Sequence, residues 1–187
     1  MAKSKILNIG PKPNYSTVVG ALYTLAQTVG KSNSEAKLQG VLGHAFSFEM
    51  ENGAGEVWQE ENLDYIGQFI QMVPKLGYQF QSFKAIQRGA KGDFHQLKAD
   101  AWNAVRASID RGVPAMAWQP MSREQKAAGL RAGAWSLLVG YNEIEETYTV
   151  CHQYYKKGRE PFTVRFDAIG HTDPAERFYV NPYQPIP

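Results

Sequence analysis

Val18, Leu22, Leu25 and Val29 recur at the spacing of one helix face, directly after the polar cluster Asn14 to Thr17 and just before Gly30. This pattern predicts a buried amphipathic helix over residues 15 to 29, opened by polar residues and stopped by the glycine. Ser32 and Glu35 have capping-box spacing for a second, short helix that ends by Gly40 or Gly43. Leu63, Ile66, Phe69, Ile70 and Val73 predict a third helix from near Asn62, which Pro74 and Gly77 end or kink. Residues 78 to 83 alternate as a strand does, and Phe94, Leu97, Ala101, Val105 and Ile109 predict a fourth helix before Gly112. Beyond Gly112 the period becomes that of short strands: Val113 to Trp118, Trp135 to Tyr141, Thr147 to Gln153, Pro161 to Phe166 and Phe178 to Val180. Asn142 and Glu143 supply one turn among them and Lys157-Gly158 another.

A helical half followed by an antiparallel-strand half is an α+β fold. With 187 residues, 43% of them hydrophobic, the chain is expected to form a single domain over residues 1 to 187. Its helical lobe covers about residues 1 to 112 and its sheet lobe about 113 to 187.

Charge and cysteine content narrow the function classes. Twenty basic against 18 acidic residues leave a net charge of +2, and no Lys/Arg run exceeds Lys156-Lys157, so nucleic acid is not an expected partner. Cys151 is the sole cysteine, which excludes an internal disulfide and a multi-thiolate zinc site. The apolar run in MAKSKILNIG is too short for a signal-peptide core, and no stretch approaches a membrane span. A cytoplasmic location without membrane association is the expectation, with no cofactor and no metal.

Four segments in order carry a family resemblance: the helix opening at Ser16, the run SEAKLQGVLGHAFSFEM from Ser34 to Met50, DRGVPAMAWQP from Asp110, and AWSLLVGYNEIEETYTVCHQY from Ala134 to Tyr154. Together they resemble the N-terminal domain of the butirosin-biosynthesis acyltransferase family, a relative of the papain-like bacteriocin-processing peptidases. The resemblance covers nearly the whole chain and implies a papain-like cysteine-peptidase fold. In that frame a Cys begins the first long helix, a His begins a strand that runs hydrophobic to a Gly-Tyr turn, and an Asp or Asn ends the next strand. The corresponding positions here read Ser16, Ala134 and His152, within about one residue, so that Tyr15 or Thr17, Trp135 and Cys151 are the neighbouring choices.

The chemistry of such a site needs a thiolate at a helix N-terminus and an imidazole to exchange its proton, oriented by a third group. A serine hydroxyl is not activated by a helix dipole alone, and neither Ala134 nor Trp135 can accept a proton. The resemblance therefore implies a catalytically inactive homologue that keeps a cleft for a peptide or an acyl-bearing small molecule, lined by Ser16, Trp118, Trp135 and His44. One alternative is an active peptidase or acyltransferase with a nonstandard Ser/His site, in which His152 serves Ser16 as base. Another is a protein-interaction module whose cleft is filled by its own side chains. Trp135 discriminates among these: pointing into the groove it would block substrate, and packed under the sheet it would leave the groove open.

The remaining candidates read as structural. His44 lies between apolar residues in LGHAFSF and is expected to be hydrogen-bonded in a tight loop, and His95 is expected to be solvated in a first helical turn. His171 and Asp173 share a turn, but with His152 they lack ligand spacing on a common element. Cys151 alternates into the sheet, where a lone thiol is buried and inert. Trp118, Trp135, Tyr141, Tyr148, Tyr154 and Tyr155 are either good strand formers or the wall of a ligand groove. Glu60-Glu61, Glu143, Glu145 and Glu146 are solvated turn faces.

Overall fold

The computed structural model describes residues 3–10, 16–31, 33–42, 71–86, 95–130, 135–152, 160–170 and 177–184. Among the described residues, eight strands join one sheet: β1 (Ser4–Ile6), β2 (Gln79–Phe80), β3 (Phe83–Ile86), β4 (Ala115–Trp118), β5 (Trp135–Asn142), β6 (Thr147–His152), β7 (Phe162–Arg165) and β8 (Arg177–Gln184). The helices are α1 (Thr17–Thr28), α2 (Glu35–Val41), α3 (His95–Asp110) and α4 (Arg123–Ala127). The class is α+β, and all strand pairings are antiparallel.

The sheet order is β2-β8-β4-β5-β6-β7. β3 continues the pairing of β2 along the same side of β8, and β1 continues that of β4 along β5. Strands from before Gly112 thus enter the sheet, which the division into a helical and a sheet half did not anticipate. β1 was missed because three residues, SKI, are too short to show alternation.

Helices cover both faces. On one, Val18, Val19, Leu22 and Leu25 of α1 and Leu38 of α2 pack on Met116, Trp135, Leu137, Val139, Cys151 and Tyr179. On the other, Ala101, Trp102, Val105 and Ile109 of α3 pack on Ala115, Ala117, Leu138, Tyr148, Val150, Phe178 and Val180. Each strand alternates between the two sets, as its period of two requires.

β5 breaks that alternation once. Leu138 pairs with Val150 but Gly140 pairs with Thr149, so β5 advances two residues where β6 advances one. The bulge inverts the parity, and Tyr141 joins Leu138 on the α3 face. Gly140 and Tyr141 lie within β5, as the strand expected over Trp135 to Tyr141 has them. The chain turns over residues 143 to 146, where Asn142 Oδ1 accepts from the Ile144 N–H at 2.9 Å and Glu146 takes φ 53°.

The helix ends follow local chemistry. Gly30, at φ 69°, closes α1 while the Lys31 N–H donates back to the Ala26 carbonyl at 2.9 Å. The cap of α2 is Ser34, whose Oγ accepts from the Lys37 N–H at 3.2 Å, instead of the Ser32–Glu35 pair. α4 was not anticipated, although Ser122 and Gln125 form a complete capping box there. A 3₁₀ turn, Val73–Leu76, ends at left-handed Gly77, as Pro74 and Gly77 implied. Of the helix predicted from near Asn62 through Val73, residues 71 and 72 are described and helical; its part up to Ile70 and the Lys157-Gly158 turn lie outside the described residues.

A polar cluster ties β1 and α3 to the far end of β5. Glu143 pairs with Arg106 and accepts from the Lys3 N–H at 2.6 Å; Tyr141 donates to Asp110 at 2.8 Å. Glu143 is thus an anchor and not a solvated turn residue. Burial, with Asp110 beside it, holds the Tyr141 hydroxyl above its ordinary pKa. Tyr148 differs, because its hydroxyl is buried without a hydrogen-bond partner among the described residues and desolvation raises its pKa strongly. Tyr148→Phe removes a desolvated group that bonds nothing and keeps the ring packing on Trp102, at 4.9 Å. Its urea midpoint should match or exceed the wild type, with a gain of up to about 1 kcal/mol. A loss larger than that would mean the hydroxyl is bonded in solution.

Candidate functional site

The site expected from the sequence lies where α1 begins. Ser16 is the N-cap of α1, extended at φ −96° and ψ 111°, half-buried, with its carbonyl accepting from the Gly20 N–H at 2.9 Å. Its side chain does not cap the helix. The first turn of α1 contains no acidic residue, so nothing there offsets the partial positive charge of the helix N-terminus. The next residue, Thr17, accepts at Oγ1 from the Trp135 N–H at 3.2 Å. This bond joins residues 118 apart in sequence and sets the start of α1 against the start of β5.

Trp135 is 3% exposed and lies on the α1 face. Its ring stands edge-on to Trp118, with centroids 5.8 Å apart, and to Tyr179, at 5.2 Å. Trp118 pairs across the strands with Trp135 and is half-buried, yet its indole Nε1 is buried and has no hydrogen-bond partner among the described residues. Ser16, Thr17, Trp135 and Trp118 are therefore brought into one neighbourhood. Gln119, immediately after Trp118, takes φ 43°, outside the usual range for a non-glycine residue.

His152 is elsewhere. It pairs across the strands with Ser136, whose Oγ lies 2.7 Å from His152 Nδ1, and both side chains are buried. Their neighbours Leu137 and Cys151, paired in the next row, face α1. Alternation therefore puts Ser136 and His152 on the opposite face of the sheet, away from Ser16. Of the two positions weighed at the end of β6, Cys151 and not His152 shares a face with α1. Cys151 is 1% exposed, in the cluster beneath α1, and it is not at a helix terminus.

His95 is exposed at the start of α3. Ala134, His44, His171, Asp173, Tyr154, Tyr155 and Glu60-Glu61 lie outside the described residues. Among the described residues, no group of His, Cys, Asp and Glu could hold a metal ion, and no helix is long and apolar enough to cross a membrane.

Thr17, beside Ser16, was one of the choices at the helix N-terminus. Ser136 was not singled out, although it gave a signal as the only polar residue between Trp135 and Val139 in an apolar strand, where a buried hydroxyl needs a partner. No protein-family model matches the chain, and no curated protein matches it either.

Proposed function

We propose that the protein is a papain-like cysteine-peptidase homologue without thiol catalysis, which uses the neighbourhood of α1 and β5 to bind a peptide or an acyl-bearing small molecule. The observation that carries this reading is the bond from the Trp135 N–H to Thr17 Oγ1, since these elements are the ones from which such a fold draws its nucleophile and its base. Ser16 stands where a thiolate would be needed. Trp135, on the α1 face, is an indole and not an imidazole, and the only thiol is buried under α1.

Binding is favoured by Trp118. Its half-buried ring borders the start of α1 and β5 beside Trp135, and its indole N–H has no acceptor among the described residues. The position of Trp135 under α1, instead of in open solvent, fits a groove that is not blocked by this ring. A Ser16–His152 enzyme is disfavoured because His152 points to the α3 face.

The test combines an activity and a reconstruction. Activated peptide esters should not be turned over by the wild type. In a Cys151→Ser background, Ser16→Cys should gain little reactivity, because a helix terminus contributes only about 0.3–1 kcal/mol to an exposed charge. Adding Trp135→His, or Ala134→His, should move the alkylation profile of position 16 to lower pH, raising the rate at pH 6 on the order of tenfold. If both double variants remain folded by circular dichroism and titrate as Ser16→Cys does, α1 and β5 do not supply a nucleophile–base pair, and the papain-like reading fails.

A further inference from the structure

A second site lies between the C-terminal end of α3 and the β2–β8 pair. Gln79, Gln81, Pro182, Tyr183 and Gln184 on the strands and Ala104, Ala107 and Arg111 on the helix side line a groove of about 410 Å³. That volume is within the range of small-ligand sites, roughly 300–1,000 Å³.

Its construction follows from register. Gln79 lies directly opposite Gln184, and the Gln81 N–H donates to the Pro182 carbonyl at 3.0 Å, so alternation sends the Gln79, Gln81 and Gln184 side chains to one side of the sheet. Ala104, Ala107 and Arg111 recur at helical spacing on one face of α3 and its last turn, and the two alanines leave the space that longer side chains would fill.

The chemistry is one-sided. Arg111 is pinned by one bond, from Nη2 to the Tyr183 carbonyl at 3.0 Å, and has no ion pair among the described residues. A guanidinium carries five N–H donors in a fork that matches a carboxylate, so most of its capacity is unused. The Gln79, Gln81 and Gln184 carboxamides likewise have no protein partner among the described residues, and each both donates and accepts. No acidic side chain lines the groove. The C-terminus of α3 opposes an anion with about half a charge, which the whole charge of Arg111 outweighs.

We propose that this groove binds the carboxylate end of a short peptide or acylated amino acid, with the carboxylate on Arg111 and the adjacent amide groups on the glutamine side chains. The site is separate from the one at α1 and does not depend on the function proposed there.

The experiment titrates the whole chain with N-acetyl-dialanine and, separately, with its C-terminal carboxamide, following backbone amide NMR shifts. Saturable shifts confined to residues 79–81, 104–111 and 182–184 are expected for the acid, with a Kd on the order of 1 mM for a ligand of this size. The carboxamide should bind on the order of tenfold more weakly. Arg111→Gln should bring the acid down to the level of the carboxamide, while Arg111→Lys should restore part of the difference. Ala107→Trp, at an exposed helix position, should abolish both by filling the groove while circular dichroism shows the fold retained. The proposal is overturned if the acid gives no saturable shifts there, if acid and carboxamide bind alike, or if Ala107→Trp binds as the wild type does.

Discussion

Iodoacetamide should modify Cys151 in the native protein at least about a thousandfold more slowly than in the urea-unfolded chain. The sulfur sits at 1% exposure on β6, paired beside Leu137 and covered by α1, so reaction requires an opening that separates helix from sheet. Central strands open with free energies that approach global stability, and an opening cost of only about 4 kcal/mol already gives a factor of 10³. The measurement is the pseudo-first-order rate of mass increase with and without urea. Comparable rates would mean that the thiol is reachable in the folded state, and would remove both the packing of α1 on β6 and the argument that the chain lacks a catalytic thiol.

Gly140→Ala should cost about 2–3 kcal/mol, a large change for a single methyl group. A Cβ at that position would stand 2.8 Å from the Lys5 carbonyl oxygen, 2.9 Å from Ile6 Cγ1 and 2.9 Å from Thr149 Oγ1. It is confined on two sides, by β1 and by β6, and the Lys5 contact is backbone, which cannot rotate away. The least costly relief is for β1 to leave the edge of β5. Urea denaturation should show the lower midpoint, and hydrogen exchange should show lost protection of the Leu7 N–H, which bonds the Val139 carbonyl at 2.8 Å. A variant within about 0.5 kcal/mol of wild type would contradict the pairing of β1 with β5.

What could be read from the chain beforehand depended on how long each pattern ran. Val18, Leu22 and Leu25 repeat through three turns, and α1 lies within two residues of its expected ends. The apolar alternation from Trp135 to Tyr141 and from Thr147 placed β5 and β6 almost residue for residue, because burial on two faces leaves a long apolar run. β8 was expected over Phe178 to Val180 and extends to Gln184, since Asn181 and Pro182 read as an end to a strand. Pro182 accepts from the Gln81 N–H but has no N–H to return, and the strand side formed by β2 and β3 is interrupted there, at residues 81 and 82.

The proposed site was legible to the level of elements and no further. The polar cluster before Val18 located the start of α1, and the Trp135 strand was recognised as its counterpart. Which face each side chain takes was not readable, because a shift of one residue at a strand end exchanges the two faces. His152 and Cys151 differ by that one residue, and only the pairing of Ser136 with His152 distinguishes them. The groove beside Arg111 left no local signal at all, since Gln79, Ala104, Arg111 and Gln184 come from distant parts of the chain.

The position of β8 has a bearing on how the protein is made. It runs between β2 and β3 on one side and β4 on the other, so residues 177–184 are the seam of the sheet. During synthesis, β4 can pair with β5 as soon as both have left the ribosome, but neither β4 nor the β2–β3 segment can satisfy its remaining edge before residue 184 has emerged. A nascent chain halted ahead of residue 177 would hold β4 with one edge open and β2 and β3 with no strand to pair with, the form in which strands pair with the wrong partner.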